Sequence, residues 1–204
     1  MQRIKVVVTG AAGQISYSLL FRIASGEVFG KQTPIELRLL EIPQALKAAE
    51  GTALELLDCG FSALESINCF DTPEKAFEGA NWAILVGSKP RGPGMERGDL
   101  IRENGPIFIQ QGKALLRADS NIRTIVVGNP CNTNALIALS HCQEIPARQF
   151  SAMTMLDENR ARAQLAHYTQ QPVDSVKNMF IWGNHSTTMF PNFEDAVIEK
   201  KTSH

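Results

Sequence analysis

The chain has 204 residues, and its 20 Lys and Arg side chains nearly balance 21 Asp and Glu side chains, giving a net charge of -1. This balance excludes the strongly basic surface with which proteins bind a phosphate backbone, so nucleic acid is not an expected partner. With 44% hydrophobic residues and no apolar run near the roughly 20 residues that span a bilayer, we expect a globular, cytoplasmic protein that does not bind membranes.

Short apolar runs alternate along the chain with stretches whose apolar residues recur every three or four positions. The runs are typical of strands buried on both faces of a parallel sheet, and the recurring pattern is typical of helices. The predicted strands are Ile4–Val8, Ile35–Leu40, Trp82–Val86 and Ile125–Val127. The predicted helices are Ile15–Ala24, Ala45–Leu57, Leu100–Leu116 and Thr133–Leu139. The alternation predicts an α/β fold with a doubly wound parallel sheet.

A weaker strand candidate, Phe150–Thr154, is followed by a helical stretch rich in Arg and Ala, Leu156–Tyr168. We therefore place a domain boundary here, with residues 1–153 forming the sheet domain and residues 154–204 beginning a second domain.

The first predicted strand leads through Gly10 and Gly13 directly into the first predicted helix. Because these positions lack side chains, backbone N–H groups at the helix start can approach a pyrophosphate closely, and the helix dipole favours its charge. The spacing G-x-x-G is less specific than G-x-G-x-x-G, so a tight turn without a ligand stays an alternative.

Glu41 follows the second predicted strand, where the adenosine ribose of a bound dinucleotide would lie. A carboxylate accepts hydrogen bonds from both ribose hydroxyls and repels a 2′-phosphate, which favours NAD over NADP. On this residue alone, a solvated glutamate at a strand end is an equal alternative.

The segment Gly87–Gly98 mixes glycine and proline with cationic residues directly after a predicted strand. Ligands bind at this carboxyl edge of an open α/β sheet, and a loop so rich in glycine is expected to move as a lid. Its Arg91 and Arg97 suit an anionic substrate, because guanidinium groups bind carboxylates in bidentate geometry. A solvated charged loop is the alternative.

Three amide side chains, Asn129, Asn132 and Asn134, follow the fourth predicted strand. They supply uncharged donors and acceptors at the same edge of the sheet. Part of this group is expected to cap the next helix instead of binding a ligand.

Asp157 and Arg160 share a face of the last predicted helix. On spacing alone, a surface ion pair explains them best, with Glu158 and Arg162 as a neighbouring pair. His185 lies on a Gly-Asn turn after an apolar run, and histidine is the natural general acid and base near neutral pH. For an isolated histidine, a structural role is the alternative.

The four cysteines, Cys59, Cys69, Cys131 and Cys142, lie far apart, without a C-x-x-C pair or a histidine at metal-ligand spacing. Zinc sites and disulfide frameworks need cysteines at characteristic short spacings. We therefore predict reduced, mostly buried thiols and no metal site.

Taken in order, the segments TGAAGQISYSLL, GMERGDL, VVGNPCNTNA, LDENRA and WGNHST resemble the NAD-dependent malate dehydrogenases, specifically the branch shared by cytosolic eukaryotic and many bacterial enzymes. The resemblance covers the whole chain. It implies a Rossmann NAD-binding domain followed by the beginning of an α+β substrate domain.

The resemblance also implies which residues bind the cofactor. The expected NAD-binding residues are Gly10, Gly13, Gln14, Ile15, Glu41 and Asn129. Of these, Glu41 would bind the adenosine ribose at a position where the family often has aspartate. Asn129 would contact both the nicotinamide side of the cofactor and the substrate.

The substrate residues follow from the same resemblance. Arg91 would bind the distal carboxylate, Arg97 would polarise the carbonyl group, and Arg160 would bind the carboxylate next to the reacting carbon. His185 would be the acid–base residue, oriented by Asp157. The implied reaction is reversible hydride transfer between NAD(H) and the dicarboxylate pair malate and oxaloacetate.

Homodimers are expected for the full-length form, and relatives continue well past position 204. We therefore expect the remainder of the substrate domain to be absent, the catalytic histidine to be held loosely, and apolar surface to be exposed. Two alternatives remain: an NAD-binding fragment without activity, and a dehydrogenase for a different 2-hydroxy acid.

Overall fold

The computed structural model describes residues 2–89, 94, 97–183, 185 and 187–199, with only the backbone described for Arg97. The chain divides into two compact units, Met1–Ala152 and Met153–His204. None of the helices in these described ranges combines the length and the apolar composition needed to cross a bilayer.

The first unit contains a six-stranded sheet in the order β3-β2-β1-β4-β5-β6, and every neighbouring pair is parallel. Its strands are β1 Ile4–Thr9, β2 Ile35–Leu40, β3 Leu64–Phe70, β4 Trp82–Leu85, β5 Arg123–Val126 and β6 Phe150–Ala152. The strand order reverses direction beside β1, where β2 and β4 lie on opposite sides. This is a doubly wound sheet, and the predicted fold class is confirmed.

Among the described residues, five helices accompany this sheet. They are α1 Gln14–Ala24, α2 Leu46–Asp58, α3 Pro73–Ala76, α4 Arg97–Leu115 and α5 Cys131–Ser140. Short 3-10 turns occupy Pro43–Ala45 and Ala147–Gln149. The four longer helices lie close to their predicted bounds, whereas the four-residue α3 was not predicted.

The strand β3 was also missed by the sequence analysis, for a physical reason. It lies at the edge of the sheet and is only partly buried, so its sequence LESINCF mixes polar and apolar residues. The neighbouring β2 is buried along its whole length and was predicted correctly. A search for continuous apolar runs finds central strands and overlooks edge strands.

The core lies on both faces of the sheet, as the alternating side chains of β1 show. Val6 and Val8 pack in a cluster with Leu20 of α1, whereas Val7 packs in a second cluster with Phe108 of α4. All five of these side chains are fully buried. Burial on both faces fixes β1 at the centre, so the loops at its carboxyl end rest on a rigid base.

The second unit is small and mixed. It contains α6 Met155–Tyr168, a 3-10 turn at Val173–Ser175, and the strands β7 Val176–Lys177, β8 Phe180–Trp182, β9 Phe190–Asn192 and β10 Val197–Ile198. The strands form two antiparallel pairs, β7 with β10 and β8 with β9. A small core of Ala166, Val176 and Met179 lies under α6.

The β8–β9 hairpin exposes aromatic side chains. Trp182 pairs with Phe190 across the hairpin, and Phe180 lies two residues before Trp182, so the three share one face. Their exposed fractions are 47% for Phe180, 59% for Trp182 and 55% for Phe190. These three side chains form an exposed apolar patch on the hairpin.

The cysteines are all free thiols, as predicted. Cys131 and Cys142 are buried and Cys69 is half-buried, but Cys59 is exposed because it lies at the C-terminal end of α2. The prediction of mostly buried thiols was therefore wrong for Cys59.

Thiol labelling of the folded chain should follow this order of exposure. Burial raises the pKa of the Cys142 thiol to about 11, so its reactive thiolate is scarce near neutral pH, and its side chain is shielded from reagents. We expect Ellman's reagent to modify Cys59 first and Cys142 only after unfolding. Substituting Cys59→Ser should remove the fast phase, and a fast phase that persists would contradict the prediction.

Candidate active site and cofactor site

The glycine turn after β1 is shaped by a close approach of two backbones. Gly10 has a φ of +62°, and a Cβ atom there would lie 2.5 Å from the Cα of Gly87, which follows β4. The Gly87 N–H donates a hydrogen bond to the Thr9 carbonyl at 3.0 Å. Only glycine fits at both positions. The sequence analysis identified Gly10 but missed Gly87, whose packing depends on β1 and β4 being neighbours.

The turn leads into the N-terminus of α1 at Gly13. Within the described part of the chain, no side chain caps this helix, so its first-turn N–H groups remain open to a ligand. Gln14 and Ile15 flank these groups at the surface, and the Ile15 side chain is 63% exposed. An anion-binding helix start beside an exposed apolar side chain fits a dinucleotide.

Glu41 reaches back to the same turn. Its Oε2 accepts a hydrogen bond from the Ala12 N–H at 3.0 Å, and its Oε1 accepts one from the Ile42 N–H at 2.9 Å. A carboxylate has about four acceptor positions, so these two bonds leave room for two hydroxyl donors. The end of β2 thus places a carboxylate at the glycine turn, which fits the ribose of NAD.

The asparagines that follow β5 differ in burial and in hydrogen bonding. Asn129 is exposed, while Asn134 is fully buried and donates a hydrogen bond from Nδ2 to the Gly128 carbonyl at 2.9 Å. The residue before α5 is Pro130, and no side chain caps this helix among the described residues. No amide occupies the N-cap position itself, which is Pro130, and the buried Asn134 instead holds the backbone that precedes Asn129.

Of the three arginines expected to bind substrate, the structure describes the side chain of Arg160 alone. Arg91 lies outside the described residues, and so does half of the predicted lid, Gly87–Gly98. Arg97 begins α4, and its side chain is not described. Their roles stay predictions.

Asp157 and His185 form a hydrogen-bonded pair in the second unit. The His185 Nδ1 lies 2.8 Å from Oδ2 and 3.0 Å from Oδ1 of Asp157. The Asp157 side chain is 6% exposed and that of His185 is 47% exposed. An ionised carboxylate only accepts hydrogen bonds, so Nδ1 carries a hydrogen and Nε2 is left to face a reactant.

This geometry replaces the interpretation from spacing alone, in which Asp157 formed a surface ion pair with Arg160. The neighbouring pair is as expected, with Arg162 lying 4.0 Å from Glu158. Asp157 lies in the first turn of α6 but points into the unit. Its partner is 28 residues away in the chain, beyond the reach of any helical spacing rule.

A cavity of about 450 Å³ opens beside this pair. Side chains of α6 and of the segment after β8 line it, including Asp157, Arg160, Gln164, His185, Thr187 and Met189. The site therefore combines a proton carrier, a buried carboxylate that orients it, and a guanidinium group that binds carboxylates.

Gln164 was missed by the sequence analysis, although its spacing carried a signal. It follows Arg160 by four residues and Asp157 by seven, so all three lie on one face of α6. Thr187 and Met189 had no comparable signal, because they lie outside the helix.

Both units match domains of one known protein family. Residues 4–151 match the NAD-binding domain of the lactate/malate dehydrogenases, and residues 154–203 match their α/β C-terminal domain. A malate dehydrogenase of Magnetococcus marinus is 57% identical over 198 residues, which cover 97% of this chain and 60% of that protein. The chain thus spans less than two thirds of this curated relative.

Solved structures give the same result. The malate dehydrogenase of Naegleria fowleri is 44% identical, with a TM-score of 0.94 over 100% of this chain and 63% of that one. The Trichomonas vaginalis lactate dehydrogenase in complex with NADH and oxamate is 38% identical, with a TM-score of 0.92 over 98% and 60% of the two chains. The chain belongs to the lactate/malate dehydrogenase family, and its first unit is the NAD-binding domain of that family.

Proposed function

We propose that this chain carries the chemistry of an NAD-dependent malate dehydrogenase, the reversible transfer of hydride between NAD(H) and malate or oxaloacetate. The observation that carries the proposal is the Asp157–His185 pair, which lines a cavity together with Arg160. Two further observations support the proposal. The first unit matches the NAD-binding domain of the family, and the turn at Gly10 and the carboxylate of Glu41 fit the cofactor.

Bound NADH would supply the hydride to the carbonyl carbon of oxaloacetate. In the protonated state His185 would donate the proton on Nε2 to the carbonyl oxygen, leaving a neutral imidazole that keeps the hydrogen on Nδ1. Asp157 accepts the hydrogen bond from this Nδ1–H, so the ring keeps its orientation, and a carboxylate beside the ring favours the imidazolium form. Malate oxidation is the reverse, with His185 accepting the proton.

The remaining roles concern the substrate. Arg160 would bind the carboxylate next to the reacting carbon, because a guanidinium pairs with a carboxylate in bidentate geometry. Arg97 would stabilise the charge that develops on the carbonyl oxygen, and Asn129 would contact the nicotinamide and the substrate. Arg91 would bind the distal carboxylate and so select a dicarboxylate. The Magnetococcus relative, named a malate dehydrogenase, supports this choice.

The Arg91→Gln variant tests the substrate. Because a neutral amide loses the ionic bond to the distal carboxylate, we expect kcat/KM for oxaloacetate to fall by roughly a hundredfold or more. Turnover of pyruvate, which lacks that carboxylate, should fall much less. Steady-state oxidation of NADH with each substrate measures both. Equal losses on the two substrates would contradict the assignment.

Two other functions remain as alternatives. A dehydrogenase for a monocarboxylic 2-hydroxy acid is favoured by the similarity to the Trichomonas lactate dehydrogenase. An NAD-binding unit without turnover is favoured by the 47% exposure of the His185 side chain, since water around an acid weakens its electrostatic interactions with substrate. Pyruvate turnover exceeding that of oxaloacetate would establish the first, and cofactor binding without turnover would establish the second.

We also propose a cytoplasmic homodimer that associates through α1 and α2. Leu54 and Leu57 share a face of α2 and are 64% and 55% exposed, and Tyr17 of α1 hydrogen-bonds to Glu55 beside them. Exposed leucines at helical spacing are typical of helix–helix interfaces. Light scattering at increasing protein concentration tests the proposal, and a monomer at all concentrations would contradict it.

A further inference from the structure

A glutamine lines the cavity beside His185, one turn of α6 beyond Arg160. Gln164 follows Arg160 by four residues, so its side chain projects from the same face of the helix, about 6 Å further along the axis. Ala161 lies between them on the cavity wall. Its single methyl group fills little of the space between the two longer side chains.

The donor groups of both long side chains are available to a ligand. Among the described residues, neither the Arg160 guanidinium nor the Gln164 amide has a hydrogen-bond or ion-pair partner. Neighbouring side chains outside the cavity do have partners. Arg162 pairs with Glu158 at 4.0 Å, and Gln170 donates a hydrogen bond to a backbone carbonyl of α6 at 2.8 Å. The free donors on this helix therefore include the two that face the cavity.

One bound carboxylate can use both sets of donors. Side chains four residues apart on a helix start from Cβ atoms roughly 5–6 Å apart, a gap that two long side chains span easily. A carboxylate has about four acceptor positions, and a bidentate guanidinium occupies two of them. The amide N–H of Gln164 can thus reach an acceptor position on a carboxylate that Arg160 holds.

The neutral charge of the amide also suits this place. A glutamate at position 164 would follow Arg160 at the spacing that pairs opposite charges on a helix, and it would neutralise the guanidinium in place of substrate. A lysine there would add positive charge to the cavity and disfavour the protonated form of His185. Glutamine supplies a donor without either effect.

We infer that Gln164 is a second ligand for the carboxylate next to the reacting carbon, the one that Arg160 binds. The inference rests on the proposed function, because it takes Arg160 as a ligand of that carboxylate. Donors on two sides of the carboxylate raise the affinity and restrict how the neighbouring carbonyl group turns toward His185. Gln164 holds substrate and takes no part in proton transfer.

The test is calorimetric titration of hydroxymalonate, a dicarboxylate that NADH does not reduce, into the NADH-saturated chain and its variants. Gln164→Leu removes the donor, and Gln164→Glu places a carboxylate beside Arg160. The matched controls are Gln171→Leu and Gln171→Glu, since Gln171 is exposed just past the end of α6 and is not among the residues that line the cavity. Thermal unfolding of each variant reports that the chain is folded, as we expect because Gln164 is an exposed residue.

For Gln164→Leu we expect the Kd of hydroxymalonate to rise about fivefold to tenfold, as for the loss of a hydrogen bond to a charged group that solvent partly screens. Gln164→Glu should raise it further, because the new carboxylate both occupies Arg160 and repels the ligand. The KM for oxaloacetate should rise more than kcat falls in both variants. The two Gln171 variants should bind hydroxymalonate like the wild type.

Three results would overturn the inference and leave the proposed function intact. They are unchanged affinity for hydroxymalonate in Gln164→Leu, affinity in Gln164→Glu as high as in the wild type, and an equal loss in the Gln171 variants. If the NADH-saturated wild type binds no hydroxymalonate, the proposed function and this inference fail together.

Discussion

Gly10→Ala is expected to abolish tight NADH binding and to lower the stability of the first unit. A side chain at the φ of +62° costs about 1–2 kcal/mol, and its Cβ atom would lie 2.5 Å from the Gly87 Cα. Because both partners are backbone, the clash is relieved only if the turn moves away from the end of β4. The open N–H groups at the start of α1 would then lose their alignment with a pyrophosphate.

We expect NADH affinity to fall more than about tenfold in this variant, and the unfolding midpoint to fall by roughly 5 °C. NADH fluorescence and thermal unfolding measure the two effects. The matched control is Gly51→Ala on α2, where an added Cβ atom meets nothing within 4 Å. Alanine is favoured over glycine inside a helix, so the control should be as stable as the wild type or slightly more stable. Gly10→Ala that binds NADH like the wild type would refute this role of the turn.

His185→Asn is the second variant with a large expected effect. Removing the proton carrier should lower kcat for oxaloacetate reduction by about a hundredfold to ten-thousandfold, while NADH affinity stays unchanged. Asp157→Asn should also lower kcat strongly, because a neutral amide cannot stabilise a charged imidazole. Stopped-flow measurement of NADH oxidation gives both rates.

The control is His167→Asn, since His167 is an exposed residue in the last turn of α6. It should leave turnover unchanged. A His185→Asn variant that retained more than about a tenth of wild-type kcat would show that another group supplies the proton.

The sequence predicted the central part of the fold because that part is buried on both faces. The strands β1 and β2 are rich in Val, Leu and Ile for this reason, although β2 also contains the buried ion pair of Glu36 and Arg38, whereas the half-buried edge strand β3 mixes polar and apolar residues. The turn at Gly10 was visible from its neighbours in the chain. Its contact with Gly87 was not, because that contact depends on the spatial order of the strands.

The candidate site was likewise only partly predictable from local sequence patterns. Residues on one helix, such as Asp157 and Arg160, reveal their shared face by spacing. The bond from Asp157 to His185 crosses 28 residues, and spacing alone favoured a different partner for the carboxylate. Here the resemblance to a family predicted what periodicity could not.

The most direct test of the proposed chemistry is oxidation of NADH by the purified 204-residue chain, with oxaloacetate and pyruvate compared in parallel. We predict loss of NADH absorbance with oxaloacetate, little with pyruvate, and none with oxaloacetate for the His185→Asn variant. Tight NADH binding without turnover of oxaloacetate would contradict the proposal and leave a cofactor-binding unit in which the Asp157–His185 pair does not act on substrate.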